Sequence, residues 1–247
     1  MLLAVILSHA VSLDMAPVDI YKRAIETMRS IQAPAYLEYQ GEEDTTQHGK
    51  MAVRRFHAIE QTSDRTAIEL DSGDTSATSR KERPPIVPDM FLGHSTQSMP
   101  DVDSHVLVLG AETQPNSGLK TIATVVSSSP VPYEVTTVGS EDIAGCGGNA
   151  IHLKLQPLTR PLVYNLRDVW VNPASSQVCK AIAIWNAPVG LTRQNVSVTL
   201  DVNNDGFIYH WSLSATAHYI LGAYGIEQEA SYTDISAVSA SEWAALK

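Results

Sequence analysis

The second half of the chain is a succession of short segments in which apolar and polar residues alternate. Six of them lie between residues 133 and 217: YEVTTVGSED, AIHLKLQPL, LRDVWVN, VCKAIAIWN, NVSVTLDV and FIYHWSLSATA. In AIHLKL, Ile151, Leu153 and Leu155 would point to one face of a strand. Short connections between such strands favour an antiparallel meander with one apolar face. The pattern therefore predicts a mainly β fold of the α+β class.

One helix precedes the strands. In residues 17–32, PVDIYKRAIETMRSIQ, the apolar side chains of Val18, Tyr21, Ile25 and Met28 recur at helical spacing. A proline at the first helical position and another just beyond the end agree with these limits. We predict an amphipathic helix that buries one face.

The remaining segments are less regular. AYLEYQ, GKMAVRRFHAIEQ, RTAIELDSG, SHVLVLGAE and LKTIATVVSS have strand character, and GIEQEASYTDI and SEWAAL predict a last strand and a short helix. Residues 72–105 are rich in Ser, Thr, Pro and charge, and we interpret them as an irregular excursion. Because no repeat or second core pattern divides the 247 residues, we predict a single domain over 17–247.

The net charge argues against one class of partner. Lysine and arginine number 17 against 27 acidic residues, which gives −10. A negative surface repels phosphate backbones, and no basic stripe offsets it. Nucleic-acid binding is therefore not expected, and anionic membrane surfaces are disfavoured for the same reason.

The N-terminus suggests export. Residues 1–16 read MLLAVILSHAVSLDMA, and the apolar run over 1–7 is far shorter than the roughly 20 residues that span a bilayer. Small residues follow it at the spacing of a cleavage site, although the usual preceding positive charge is missing. We interpret 1–16 as a truncated signal peptide; the alternative is a buried N-terminal strand. With no later apolar stretch long enough for a transmembrane segment, the mature protein is expected to be soluble and exported, to a bacterial periplasm or the extracellular space.

The stretch DVNNDGF at 201–207 resembles the start of a calcium loop. Such a loop needs a bidentate acid at its twelfth position and a helix on each side. Counted from Asp201, the twelfth residue is Ser212, and both flanks look like strands. Asn203 to Gly206 instead provide residues that tolerate positive φ. We therefore predict a hairpin turn between strands at 196–202 and 207–213, and no metal site.

Catalytic signatures are missing from the sequence. It has no Gly-x-Ser-x-Gly elbow, His-Glu-x-x-His motif, phosphate-binding glycine loop or Cys-x-x-Cys pair. GCGGN at 145–149 is glycine-rich but has no predicted helix behind it. His152 and His210 could share the polar face of the sheet, yet solvated strand residues are the simpler interpretation. We expect a protein that is not an enzyme and needs no cofactor.

The two cysteines leave a disulfide open. Export would permit a bond between Cys146 and Cys179. In a flat meander, however, two to three strand spacings of about 4.8 Å would separate them, beyond the limit of about 7 Å between Cα atoms. Sheet curvature or a folded-over turn would be needed to join them. Two free thiols are the alternative.

Residues 133–185 contain VGSEDIAG, an alternating strand that ends at Pro157, and LRDVWVNPAS. Together these features resemble the lipoprotein-carrier, or LolA-like, superfamily, in which an aspartate is usual at the position of Asn172. The resemblance implies an antiparallel, incompletely closed β-barrel with an N-terminal amphipathic helix covering its concave face. It also implies a cavity that holds the acyl chains of lipids or lipoproteins in the periplasm.

Apolar strand positions are the candidate ligand-binding residues of such a cavity. We predict that the protein binds a lipid or other apolar small molecule there, as a carrier or sensor. The alternative is an envelope scaffold that binds another protein, with the concave side filled by its own helices. The candidates are Val135, Ile151, Leu153, Leu155, Val169, Val171, Ile182, Ile184, Val198, Leu200, Tyr209 and Trp211.

Overall fold

A computed structural model describes residues 15–71, 76–80, 86, 133–157, 164–189, 192–219 and 222–247. The helices are α1 (Pro17–Ser30), a 3-10 turn η1 (Ala144–Cys146) and α2 (Ala240–Ala245). The strands are β1 (Tyr36–Gln47), β2 (Lys50–Gln61), β3 (Thr66–Glu69), β4 (Thr78–Ser79), β5 (Tyr133–Ile143), β6 (Gly148–Pro157), β7 (Tyr164–Val171), β8 (Val178–Val189), β9 (Thr192–Val202), β10 (Ile208–Tyr219) and β11 (Gly222–Ala237). The signal peptide predicted over 1–16 lies almost wholly outside the described residues, as do most of the excursion and the segments SHVLVLGAE and LKTIATVVSS.

Helix α1 confirms the predicted amphipathic helix, although it is slightly shorter. Pro17 begins it, and Asp19 in the first turn suits the positive end of the helix dipole. The helix ends at Ser30, because Ile31 is already extended, with φ −70° and ψ 116°. Its buried side chains are those of Ile20, Tyr21, Ala24, Ile25 and Met28.

All the described strands belong to one antiparallel sheet. Their order is β4-β3-β2-β1-β11-β10-β9-β8-β7-β6-β5, so β5 to β11 form the predicted meander. The first strand pairs with the last, with Leu37 opposite Ala237. The edge strands β4 and β5 do not pair with each other. The sheet is therefore an incompletely closed barrel, as predicted.

The two faces of the sheet differ in polarity. On β1, Leu37 and Tyr39 are buried, whereas Glu38 and Gln40 between and beyond them are more exposed. Most of the buried strand residues form one large apolar cluster with the inner side of α1. This cluster defines the concave face, and α1 covers it as predicted. The opposite, convex face carries most of the charged strand residues.

The stretch that resembles a calcium loop is a hairpin turn. Strands β9 and β10 pair on either side of it, with Val202 opposite Ile208. The side-chain oxygen of Asn203 accepts hydrogen bonds from the backbone N–H groups of Asp205, at 3.0 Å, and Phe207, at 2.9 Å. Gly206 has φ +86°, a conformation that glycine adopts without strain. The predicted turn is confirmed.

Helix α2 closes the convex side of the first strands. Ser239 and Glu242 form a capping box, in which each side chain binds the other residue's backbone N–H. Trp243 is buried, and its ring stacks on Tyr36 with 5.4 Å between centroids. It shares a small apolar cluster with Ile59 and Ile68. The predicted C-terminal helix is therefore present and fixed to the sheet.

Candidate functional site

Nine of the twelve predicted cavity residues meet on the concave side of the sheet. They come from β5, β6, β7, β9 and β10, where alternation in sequence follows alternation in space. Val135 is half-buried, and the other eight are at most 7% exposed. These eight are Ile151, Leu153, Leu155, Val169, Val171, Val198, Leu200 and Trp211.

Strand β8 turns the opposite way from the one expected. Ala181 and Ala183 are its concave residues, so the alternating Ile182 and Ile184 lie on the convex face. Ile182 instead packs against a separate convex cluster. Lys180 lies on the same face as Ile182 and Ile184 and pairs with Asp201, so this charged residue was the sequence signal for the convex face. The small alanines leave room for α1, which packs against β8.

Tyr209 also lies off the concave face. An irregularity between Ile208 and His210 shifts the register of β10 against β9. Ile208 and Trp211 are therefore both concave, with two residues between them instead of one. The Tyr209 side chain reaches η1, where a Cβ on Gly145 would lie 2.8 Å from its hydroxyl oxygen.

Several concave residues were not among the candidates. Strands β1 and β2 contribute Leu37, Tyr39 and Phe56, and an isolated residue of the excursion, Ile86, is also buried in this core. The alternation in AYLEYQ could have identified the first two. Nothing in the local sequence marks Ile86, whose carbonyl accepts a hydrogen bond from the backbone N–H of Ile208 at 2.6 Å.

Helix α1 lies over one side of the concave face. It packs mainly against β5, β7 and β8. Tyr21 meets Tyr133 edge to face, with ring centroids 6.2 Å apart. Burial raises the pKa of Tyr21 above its ordinary value, and the neighbouring Tyr133 adds to this. The contact between helix and sheet is mostly apolar.

The other side of the concave face is aromatic. The ring of Tyr39 meets those of Phe56 and Tyr232 edge to face, at 6.1 and 5.4 Å. The indole N–H of Trp211 donates to the Tyr232 hydroxyl at 3.0 Å. This geometry is favourable for aromatic quadrupoles and satisfies a buried indole donor. The result is a wall of flat apolar surface across β1, β2, β10 and β11.

A buried ionic network borders the aromatic wall. The Arg80 guanidinium donates to Glu43 and Glu69, each at 3.2 Å. Arg54 reaches the same two carboxylates from the solvent side. Arg80 and Arg65 are also joined through their backbones and by a 2.7 Å bond from the Arg65 side chain to the Arg80 carbonyl. Residues 76–80 are thus fixed to the first strands.

Glu60 is a second buried acid beside this network. The Tyr39 hydroxyl donates to its carboxylate at 2.7 Å. Burial raises the pKa of Glu60, although the Tyr39 hydrogen bond and the two nearby arginines oppose the shift. Burial and the Glu60 charge raise the pKa of Tyr39 well above its ordinary value. The tyrosine therefore remains a neutral donor at any physiological pH.

Cys146 and Cys179 are joined by a disulfide on the convex face. Their Cα atoms are 5.2 Å apart, within the usual range. The turn η1 folds over the sheet and packs against β8, so the spacing expected for flat strands does not apply. The bond lies in a cluster with Ala150 and Trp170. Of the two outcomes left open, the structure contains the bonded pair.

His152 and His210 share the convex face but do not approach each other. His152 lies between Glu141, at 2.6 Å, and Asp168, at 2.9 Å. His210 lies between Asp201, at 2.9 Å, and Glu229, at 2.8 Å. The strands of the two histidines, β6 and β10, are four positions apart in the sheet. Each histidine therefore links the two strands that flank its own: β5 and β7 for His152, and β9 and β11 for His210.

The described residues contain no group of three or more His, Cys, Asp or Glu placed to hold a metal ion. In the same part of the chain, none of the helices has the length and apolar character to cross a membrane. The concave face is an apolar surface that lies beside the buried ionic network of Arg80, Glu43 and Glu69. The fold is an unclosed antiparallel half-barrel with one apolar, concave face.

No protein-family model and no curated protein sequence matches the chain. Solved structures do match it. A LolA superfamily protein from Nitrosomonas europaea is 11% identical, covers 91% of this chain and 94% of its own, and has a TM-score of 0.32. A putative outer membrane lipoprotein-sorting protein domain from Vibrio parahaemolyticus is 12% identical over 94% of this chain and 99% of its own, with a TM-score of 0.40.

A third match is a DUF1329 family protein from Desulfovibrio piger. It is 12% identical, covers 94% of this chain and 100% of its own, and has a TM-score of 0.39. The superfamily that residues 133–185 resemble is thus found again among the structural matches.

Proposed function

We propose that the chain is an exported, non-enzymatic binding protein that holds a lipid acyl chain or another apolar ligand against the concave face of its half-barrel. One observation carries the proposal. The concave face is a continuous apolar surface on a sheet whose edge strands, β4 and β5, do not pair. Such a surface must be covered by something other than the sheet itself, and a ligand can supply part of that cover.

The cover observed here is suited to exchange. Helix α1 contacts the sheet through apolar side chains such as Ile20, Ile25 and Met28, which form no specific polar bond with it. An acyl chain offers the same kind of contact, since each buried methylene contributes about 0.8 kcal/mol. We expect ligand uptake to displace α1 in part from β5, β7 and β8. The aromatic wall would form the opposite side of the site.

The disulfide supports an exported location. Such bonds persist in oxidising compartments and are rare where thiols are kept reduced. The bond between Cys146 and Cys179 is buried, with both cysteines at most 3% exposed, as expected of a structural rather than a catalytic disulfide. A bacterial periplasm or an extracellular space is the compartment that we propose.

One observation favours a second candidate, a scaffold whose concave side is filled by its own chain. The eight buried candidate residues are at most 7% exposed, and five residues of α1 share their cluster. In that case the face is ordinary core, and function resides in a surface that binds another envelope protein. The two candidates differ in whether the folded protein carries an extractable ligand.

The deciding experiment is purification from a bacterial periplasm without detergent, followed by solvent extraction and mass spectrometry of the extract. A stoichiometric lipid or other apolar molecule supports the carrier. A clean extract from folded protein, together with no uptake of a fluorescent fatty acid, contradicts it and favours the scaffold.

Matched variants on one strand locate the site. Ala183→Met enlarges a concave side chain, and Ile184→Met places the same side chain at the neighbouring convex position with little change of volume. We expect the first to weaken fatty-acid uptake several-fold and the second to leave it unchanged, with both proteins folded by circular dichroism. Equal uptake by both variants would place the ligand elsewhere.

A further inference from the structure

The hairpin of β1 and β2 extends beyond the apolar core. Every residue from Lys50 to Arg55 is exposed. Its two-residue turn, His48-Gly49, has φ values of 52° and 71°, as the tight hairpin turns matched to strand twist require. Met51 is 69% exposed and Val53 45%; only one other large hydrophobic residue of the described chain, Val138, is as exposed. The hairpin thus presents a preformed, partly apolar strand to solvent.

One edge of this strand is open. Strand β3 pairs with β2 only from Ala58 to Gln61, so within the described chain residues 50–55 have β1 as their sole neighbour. An exposed strand edge is a template for pairing with another chain.

The hydrogen-bond alternation identifies the free groups. Gln47 and Lys50 face each other across a two-residue turn. Residues in these positions form a hydrogen-bonded pair. It follows that the N–H and C=O groups of Met51, Val53 and Arg55 point away from β1. The next residue of this set, His57, obeys the same rule, since its carbonyl accepts from the N–H of Leu70 on the β3 side at 2.8 Å.

Charge defines what this edge can pair with. Lys50 and Arg54 lie on one face of the strand, and Arg55 lies on the other beside Met51 and Val53. Antiparallel pairing with a second copy, centred on Ala52, would place Lys50 opposite Arg54, a destabilising like-charge contact. Arg55 already bonds Glu42, but both side chains are largely exposed, so this pair exchanges at little cost. Arg54 remains tied to the buried Glu43 and to Glu69, so Lys50 and Arg55 are the charges most accessible to a partner.

We propose that residues 50–55 bind an extended segment of a different protein by strand addition. The matching segment carries two apolar residues two positions apart, flanked by acidic residues. Main-chain hydrogen bonds to Met51, Val53 and Arg55 would supply affinity. Contacts with the alternating side chains of residues 50–55 would supply specificity. This inference goes beyond the proposed ligand-binding function and does not depend on it.

The test uses the full chain and a blocked synthetic peptide in which glutamates flank Val-Ala-Val. The control peptide has lysines in place of the glutamates. Isothermal titration calorimetry should show at least tenfold tighter binding of the glutamate peptide, with an affinity that falls as salt rises. Equal affinities, or no binding of either peptide, would overturn the proposal.

A proline variant tests the edge itself. Val53→Pro removes an outward N–H without removing a bond to β1, and should weaken binding of the glutamate peptide at least tenfold. Val138→Pro is the matched control, because Val138 is exposed and is skipped in the register between β5 and β6. Unchanged binding by Val53→Pro, with the fold intact, would overturn the proposal.

A charge variant keeps the proposal testable if the proline disturbs the hairpin. Lys50→Glu should reduce the preference for the glutamate peptide several-fold while the fold is preserved. Vesicles containing phosphatidylglycerol address the other possible occupant, a membrane surface. Binding of these vesicles that is lost in Met51→Ser, without peptide binding by the wild type, would overturn strand addition.

Discussion

The guanidinium carbon of Arg80 lies 4.3 Å from the centroid of the Phe56 ring. The same guanidinium bonds Glu43 and Glu69, so one side chain joins the ionic border to the aromatic wall. Arg80 and Glu43 are both nearly buried, at 6% and 4% exposure. A charge pair held in this way is costly to break, because the remaining charge stays buried.

Replacement of Arg80 by Met should therefore destabilise the protein by about 3–5 kcal/mol, the usual effect of removing one partner of a buried pair. Urea unfolding followed by circular dichroism measures it. The double variant Arg80→Met with Glu43→Gln should recover part of the loss. If the single variant loses less than about 1 kcal/mol, the pair behaves like an exposed one.

Removal of the disulfide should also destabilise the protein. The bond spans 33 residues of sequence, for which the chain-entropy estimate is roughly 3–4 kcal/mol. We expect Cys146→Ala with Cys179→Ala to unfold at lower urea by a corresponding amount. Addition of a reductant should lower the midpoint of the wild type and leave that of the double variant unchanged. A wild type that is indifferent to reductant during unfolding would contradict the prediction.

The stability contributed by His210 should depend on pH. The hydrogen bonds that His210 donates to Asp201 and then to Glu229 raise its pKa above the ordinary value of 6.5, against the effect of burial. Because the folded-state pKa is the higher one, this contribution is complete below pH 6.5 and is lost as pH rises through the folded value. His210→Gln should therefore be more destabilising near pH 6 than near pH 8.5.

Thermal melts of both proteins across this range measure the effect on stability, and an NMR titration of the imidazole measures the pKa directly. Lys180 also contacts Asp201, at 3.8 Å, and partly offsets its charge. A His210 pKa at or below the ordinary value would refute the prediction.

Gly41 should not tolerate a side chain. It lies opposite Phe56 in the register of β1 and β2, and a Cβ at this position would overlap the Phe56 ring. Gly41→Ala must displace the Phe56 ring, against which the Arg80 guanidinium packs. We therefore expect the free energy of unfolding to fall by about 1–3 kcal/mol, typical of overpacking. Gly139→Ala is the control, because nothing lies within 4 Å of the added carbon. Equal stabilities of the two variants would contradict this account.

The sequence predicted the core where one face of a strand is apolar and the other polar. Strands β6 and β9 are of this kind, and Leu153 and Val198 lie where alternation places them. In strand β8 the small Ala183 faces inward and the larger Ile184 lies outward with Lys180, so choosing the bulkier apolar residues gave the wrong face. Strand β10 contains an irregularity that reverses the alternation before Trp211, and periodicity does not reveal such a shift.

Contacts between distant segments were not predictable. Glu43 and Arg80 are 37 residues apart and lie in segments that look exposed and charged in sequence. The disulfide depended on a turn that leaves the plane of the sheet, which a flat arrangement of strands cannot represent. In both cases the pairing depends on how segments distant in sequence fold together, which no local pattern encodes.

The pairing of β1 with β11 determines when this protein can fold. The partner of Leu37 is Ala237, and the partners of the next residues are nearly as distant along the chain. A ribosome or translocation channel delivers the N-terminal strand long before its neighbour, so the central seam of the sheet forms last. Closure of such distant contacts is slow. Until the C-terminal strand emerges, the first hairpin and the meander remain separate, with exposed apolar faces. A chaperone would protect the chain most during this interval.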